Sequence, residues 1–312
     1  MQKTIQIIFF LLSVQFALGQ EAWYPLGQNE KVTQHTYYSL SYSEAHEQAE
    51  WVQYTIKSGY LNSSISRTNN FREDPLISTT SAQLIDYKGS GFDRGHLAPA
   101  ADMKYNHTSM SESFYMSNMS PQAPGFNRQI WRLIEQQFRE WASEYGELVI
   151  VTGPVLNGDY LGSIGPNRVT VPRYYYKVAL DPDNYERNIA ILIENKSSSE
   201  PIRSFAVSID SLERFTGIDF FYKLDDEVEE KIEGEKALGY WNWTGHYTPT
   251  PRYDYGLSEP IQVQPSTGTI FRTNTGKKYH RGNCRYLSRS KIPVTLEEAQ
   301  NRGLGPCGVC RP

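Results

Sequence analysis

The chain has 312 residues, 39% of them hydrophobic and 13% aromatic, which is enough to build a packed core and excludes a disordered polymer. The net charge of −4 argues against a protein that coats nucleic acid by bulk attraction. The sum hides an asymmetry: residues 271–312 hold nine Lys or Arg and two Glu, a balance of +7, which leaves −11 for residues 1–270.

Residues 1–19 begin Met-Gln-Lys, continue as an apolar run from Ile5 to Leu18, and end in small residues before Gln20. That is the pattern of a cleaved secretory signal, so the sequence predicts a secreted or periplasmic protein with no membrane segment after cleavage. Ala45, Ala49 and Val52 recur near helical spacing and predict an amphipathic piece over Ser43–Gln53, followed by a strand over Val52–Ile56. Ser63–Glu73 is polar loop, and the glycine-rich Asp86–Phe92 leads into Asp93-Arg94-Gly95-His96. The clearest helix spans Asn127–Tyr145, with Ile130, Leu133, Ile134, Phe138 and Trp141 on one stripe. Strands are predicted over Leu148–Val151, Tyr174–Leu180 and Ile189–Ile193, the last two joined by the turn Asp181-Pro182-Asp183-Asn184, and a short helix over Ser211–Thr216. Between Asp225 and Glu235 stand seven acidic residues and one lysine, and a proline-bearing polar stretch runs on to Ser266. The expected organisation is a signal peptide (1–19), a catalytic domain (20–225), an acidic and polar linker (226–266) and a small module (267–312). The fold class is α+β: a central, mainly antiparallel sheet with helices packed on it.

Cutting a phosphodiester needs a base for water, positive charge for the phosphate, and help for the leaving oxygen. Asp93-Arg94-Gly95-His96 offers an imidazole that titrates near neutrality, a planar phosphate donor and a glycine that permits close approach. Downstream come Ser117-Asn118-Met119-Ser120-Pro121-Gln122, then Asn127, Glu135 and Arg139. On a regular helix Glu135 and Arg139 lie about 80° and 120° around from Asn127, on one broad face. Taken alone, the same three residues describe a helix cap and a solvated pair at four-residue spacing.

Asp93-Arg94-Gly95-His96, Ser117-Asn118-x-x-Pro121-Gln122, Asn127-x3-Trp131-x3-Glu135, Val151-Thr152-Gly153-Pro154 and the Val171-Pro172 to Lys177 segment occur in an order that resembles the DNA/RNA non-specific endonucleases. The resemblance covers about residues 30–225 and implies a ββα-metal finger acting on DNA and RNA. It makes His96 the general base and Asn127 the direct protein ligand of one Mg²⁺ (or Mn²⁺). Glu135 then orients water toward the leaving oxygen, Asn118 supports the site, and Arg94, Arg139 and, on a looser match, Arg67 contact the phosphate. A single asparagine suits magnesium, which keeps most of its waters. Two other readings stay open: an inactive nucleic-acid binder of the same fold, and a phosphodiesterase acting on another phosphate ester. Both a monomer and a homodimer fit.

All three cysteines lie in the last segment. His280-x3-Cys284 and Cys307-x2-Cys310 have the ligand count of a structural Cys₃His Zn²⁺ site, and a module of this size needs such a staple. The competing reading is one disulfide from Cys284 and a free thiol. The tail also resembles a zinc-ribbon or Ada-like module. Its basic surface suggests that it holds polyanionic substrate near an acidic catalytic body.

Overall fold

A computed structural model describes residues 23–29, 31–243, 270–273, 277–282, 284–287, 290–307, 309–310 and 312. The expected signal peptide and most of the expected linker lie outside the described residues. By internal contacts the chain divides into two units, one of residues 1–223 and 232–248, the other of residues 224–231 and 249–312.

The first unit is built on strands β1 (Val32–Gln34), β2 (Tyr38–Ser43), β3 (Gln48–Lys57), β4 (Asp93–His96), β5 (Met119–Gln122), β6 (Glu147–Pro154), β7 (Tyr160–Ile164), β8 (Val169–Pro172), β9 (Tyr174–Asp181), β10 (Asn184–Glu194) and β11 (Ala206–Val207). Seven of them form one sheet in the order β1-β2-β3-β6-β9-β10-β11, every neighbour antiparallel. The sheet and helices confirm the α+β expectation. β4–β5 and β7–β8 are separate two-stranded ribbons.

Against the sheet packs one long helix, called here the site helix: a π-helical turn over Phe126–Trp131 running into an α-helix over Arg132–Tyr145. Ile130, Ile134, Phe138 and Trp141 of the predicted stripe are buried, in one cluster with Val52, Tyr54 and Ile56 of β3 and Leu148 and Ile150 of β6. Each such side chain contributes about 1.5–3 kcal/mol by leaving water, which holds the helix in a fixed rotation about its axis. That rotation decides which residues can face the ribbon.

Two local expectations change. Ser43–Gln53 is not helical: it is the end of β2, a turn with Glu47 at φ +52°, and the first half of β3. β3 is buried from Gln48 to Ile56, so both faces are covered, the alternation of period two is lost, and a chance helical spacing is all that remains in the sequence. Within the expected linker, Trp241 is buried and packs at a tilt against Trp141 with centroids 4.4 Å apart, and its indole N–H donates to Asn188 O at 2.8 Å. Trp241, with Leu238 and Trp243 packed beside it, thus belongs to the first unit's core.

The second unit contains β12 (Ile270–Arg272), β13 (Lys278–His280), β14 (Ile292–Val294) and β15 (Gly305–Pro306), in the order β14-β12-β13-β15, with a helix over Leu296–Asn301. No described helix is long and apolar enough to cross a membrane.

Candidate active site

The ribbon and the site helix are contiguous in sequence, and the backbone pairing sets their geometry. Asp93 pairs with Gln122, Arg94 with Pro121, Gly95 with Ser120 and His96 with Met119. Gly95 is required by closeness: a Cβ there would sit 2.1 Å from the side chain of Gln122, which lies across it. Both amide atoms of Gln122 are buried without a hydrogen-bond partner.

Asp93 ties the ribbon to the site helix. Its carboxylate accepts from Asn127 Nδ2 at 2.9 Å and from Arg128 Nε and Nη2 at 2.8 and 2.6 Å. Burial would raise its pKa, but the hydrogen bonds from Arg128 and Asn127 hold it below the usual carboxylate range. Because Asn127 donates its nitrogen to Asp93, its remaining polar side-chain atom is the carbonyl oxygen, a hard donor suited to Mg²⁺.

The His96 imidazole lies between two rings, 4.9 Å from Phe114 edge-on and 5.7 Å from Phe71. Its Nε2 is buried without a hydrogen-bond partner. Burial first, then the charges of Arg67 and Arg94, push its pKa down to about 3, so the ring is neutral at working pH. Those two guanidinium groups rest on the same rings, Arg94 4.2 Å above Phe71 and Arg67 4.9 Å above Phe114. The aromatic pair therefore carries the imidazole and both arginines.

The Asn118 side chain is fully committed to backbone. Its Oδ1 accepts from Ala98 N at 2.9 Å, and its Nδ2 donates to Ala98 O and Ser113 O at 2.9 and 2.8 Å. It clamps the chain just beyond His96 and has no polar atom left for substrate.

Glu135 and Arg139 follow on the site helix. Arg139 Nη1 donates to Asp102 Oδ1 at 2.7 Å, with Asp102 buried. Burial pushes the Glu135 carboxyl well above its usual range, against the opposing charges of Lys177, Arg139 and Arg67, while Asp102 pushes it the same way as burial. The angles of 80° and 120° assumed 3.6 residues per turn and do not survive the π turn, which adds a residue between Asn127 and the α-helical part.

The structure thus gathers His96, Arg94, Arg67, Asn127, Glu135 and Arg139 around the ribbon, the site helix and the loops beside them. Sequence reasoning did not single out Asp102, Tyr54, Phe71 or Phe114, and quoted Lys177 only as the end of a motif. A cleft of about 380 Å³ beside β4 is lined by Leu84, Tyr87, Lys88, Phe92, Asp93 and Arg94. A larger one, about 590 Å³, lies at the β7–β8 ribbon and contains none of the expected site residues, so chemistry decides for the first.

In the second unit, one ligand atom each from His280, Cys284, Cys307 and Cys310 lies within 4.8 Å of all the others. His280 Nδ1 is 3.2 Å from Cys284 Sγ and 3.8 Å from Cys310 Sγ, and the three cysteines form no disulfide.

Comparison with known proteins shows the family and the fold. Residues 21–227 match the family model described as DNA/RNA non-specific endonuclease. The chain is 35% identical over 211 residues to a nuclease of Nostoc sp., covering 64% of this chain and 76% of that one. It is 39% identical over 175 residues to the mitochondrial endonuclease G of Caenorhabditis elegans, covering 51% of this chain and 56% of the other. The fold is similar to a solved EndoG/EndoGI complex at a TM-score of 0.62 and 28% identity, over 70% of this chain and 96% of that one. A match over residues 21–227, about two thirds of the chain, makes it a member of the DNA/RNA non-specific endonuclease family.

Proposed function

We propose that the chain is an exported, Mg²⁺-dependent endonuclease that hydrolyses DNA and RNA with little sequence preference, with His96 as general base. The observation that carries this reading is the neutral imidazole on β4, flanked by two arginines on the same rings and tied through Asp93 to Asn127. Asn127 would hold the cation through its carbonyl oxygen, and Mg²⁺ or Mn²⁺ bound there would supply charge neutralisation at the phosphate.

His96 takes the proton of the attacking water. Arg67, Arg94 and Arg139 bind the phosphate oxygens and count most as charge builds in the transition state. A phosphate between Arg67 and Arg94 offsets the two charges that depress the imidazole, so substrate binding raises its basicity when a base is needed. Glu135, ionised, orients the water that protonates the leaving 3′ oxygen. Asn118 is a positioning residue that fixes the strand end carrying His96. All these contacts fall on phosphate, the part that every nucleotide shares, which accounts for indifference to base.

Digestion of plasmid DNA and of RNA, with and without EDTA, tests the reading. Both substrates should be cut, EDTA should stop cleavage, and Mg²⁺ should restore it. Replacing Asn127 by Ala should raise the Mg²⁺ concentration for half-maximal activity by at least about tenfold. Cleavage that persists in EDTA would sink the mechanism. Failure on both polymers with retained hydrolysis of small phosphate esters would favour the other phosphodiesterase reading, and binding without cleavage the inactive binder.

Residues 1–19 direct export to the periplasm or medium. His280, Cys284, Cys307 and Cys310 hold a structural Zn²⁺, and the basic module around them brings long substrate to the acidic catalytic body by long-range attraction. Deleting residues 264–312 should raise KM on long DNA several-fold, about threefold or more at low salt, and leave kcat unchanged. An unchanged KM at low salt would remove that role.

A further inference from the structure

Among the described residues, Lys177 is the one fully buried lysine, and the reaction sketched above does not use it. It stands on β9, between Thr152 of β6 and Ile191 of β10, with none of its surface exposed. Its ammonium points into the face of the sheet that the site helix covers, 5.2, 5.5 and 5.8 Å from the ring centroids of Tyr54, Trp131 and Phe138. A lysine in such a place is costly unless its charge is matched.

The match runs through a chain of hydrogen bonds across four elements. Lys177 Nζ donates to Tyr54 Oη at 3.0 Å, Tyr54 Oη donates to Asp102 Oδ2 at 2.9 Å, and Asp102 Oδ1 accepts from Arg139 Nη1 at 2.7 Å. The chain starts in the core beneath the helix and ends at an expected phosphate-binding guanidinium. Glu135 lies one helical turn before Arg139 and couples electrostatically to the same groups. Two cations, Lys177 and Arg139, thus balance two carboxylates, Asp102 and Glu135.

We propose that Lys177 is a positioning residue for phosphodiester cleavage: through Tyr54 and Asp102 it fixes the Arg139 guanidinium, and its buried charge balances the Glu135 carboxylate from beneath the site. The proposal rests on the roles given above to Glu135 and Arg139. Its electrostatics have a definite sign. Burial drives Glu135 toward the neutral acid; Lys177 from β9, Arg139 from the site helix and Arg67 from the loop before β4 oppose that, and Asp102 from the loop after β4 reinforces it. Burial likewise drives Lys177 toward the neutral amine, opposed by Glu135 and Asp102 and reinforced by Arg139. Each partner therefore favours the charged form of the other, against burial.

The sign makes the test two-directional. Lys177→Met removes the cation with little change of volume and should move the Glu135 titration upward by about one unit or more. Asp102→Asn removes the anion that destabilises the Glu135 carboxylate and should move it downward. Tyr54→Phe cuts the hydrogen-bond chain but leaves both charges, and should leave the titration in place while weakening the alignment of Arg139. Two readouts are used: the carbon-13 shift of the Glu135 carboxyl in the metal-free protein, assigned with Glu135→Gln, and the acid limb of kcat/KM at saturating Mg²⁺.

The carboxyl shift reads Glu135 directly, and the acid limb is compared with it. For Lys177→Met the expected result is roughly a tenfold loss of kcat at pH 7 that recovers at alkaline pH, with KM little changed. Lys177→Arg, which keeps the charge, should leave the limb where it is. If Lys177→Met does not fold, Lys177→Gln, which removes the charge and keeps a polar head, carries the test with the same expected upward shift. A Glu135 titration that moves in neither variant overturns the proposal. If the carboxyl titration moves as stated while the acid limb does not, the electrostatic link stands and the role of Glu135 in cleavage fails.

Discussion

Replacing His96 by Ala should lower kcat/KM on plasmid DNA by about 10²–10⁴-fold, the range that a positioned general base supplies. Two structural facts sharpen the expectation beyond lost activity. First, burial and the charges of Arg67 and Arg94 lower the His96 pKa, so the loss in the variant should persist from pH 6 to pH 9. Second, its Nε2 is an orphaned buried polar atom, so the substitution deletes an unsatisfied group as well as ring contacts with Phe71 and Phe114. The melting temperature should therefore fall little. The space left between the two rings fits free imidazole, which should restore part of the rate in proportion to its unprotonated fraction. Mg²⁺ affinity should be unchanged, because Asn127 is held by Asp93 and not by His96. An alanine variant with native activity, or one that loses metal affinity along with rate, would end the assignment of His96 as base.

The parts of this site that could be read from sequence are those that lie close together along the chain. β4, β5 and the site helix fall between Asp93 and Tyr145, so the motif residues and the apolar stripe of the helix appear in one local pattern. What could not be read comes from sheet order. Tyr54 on β3 and Lys177 on β9 are brought beneath the helix because β6 lies between their strands, and nothing in residue spacing states that β3, β6 and β9 are neighbours. Lys177 is also a charged residue in the core, where composition predicts surface. Asp102 sits in a loop with no periodic signal. The misread Ser43–Gln53 segment fails for the opposite reason: a strand buried on both faces carries no alternation to detect. Trp241 and Trp243 were hidden by polar neighbours, although two tryptophans in a supposed linker are a composition signal that points to packing.

Removing zinc from the C-terminal module should unfold that module and leave Mg²⁺-dependent cleavage of short substrates intact. The apolar core there is small: one cluster of Tyr279, Val294 and Ala299, another of Cys284, Leu287 and Cys307. Strands of two or three residues joined over so little buried surface do not fold alone. Tetrahedral zinc with Zn–S near 2.3 Å and Zn–N near 2.0–2.1 Å places its ligand atoms about 3.5–3.8 Å apart. The observed His280 separations from Cys284 and Cys310, 3.2 and 3.8 Å, bracket that value, and Arg281 N–H donates to Cys310 Sγ at 3.2 Å, a bond that favours thiolate. Structural zinc contributes on the order of 10 kcal/mol to such modules, more than their whole stability. The full chain should carry one zinc per molecule, and Cys310→Ser should lose it, together with the resistance of residues 270–312 to limited proteolysis. Alkylation of the denatured, metal-free and unreduced protein separates this from a disulfide. Three modified cysteines are expected; a single modified cysteine would mean that two are bonded to each other, and the zinc assignment would fall.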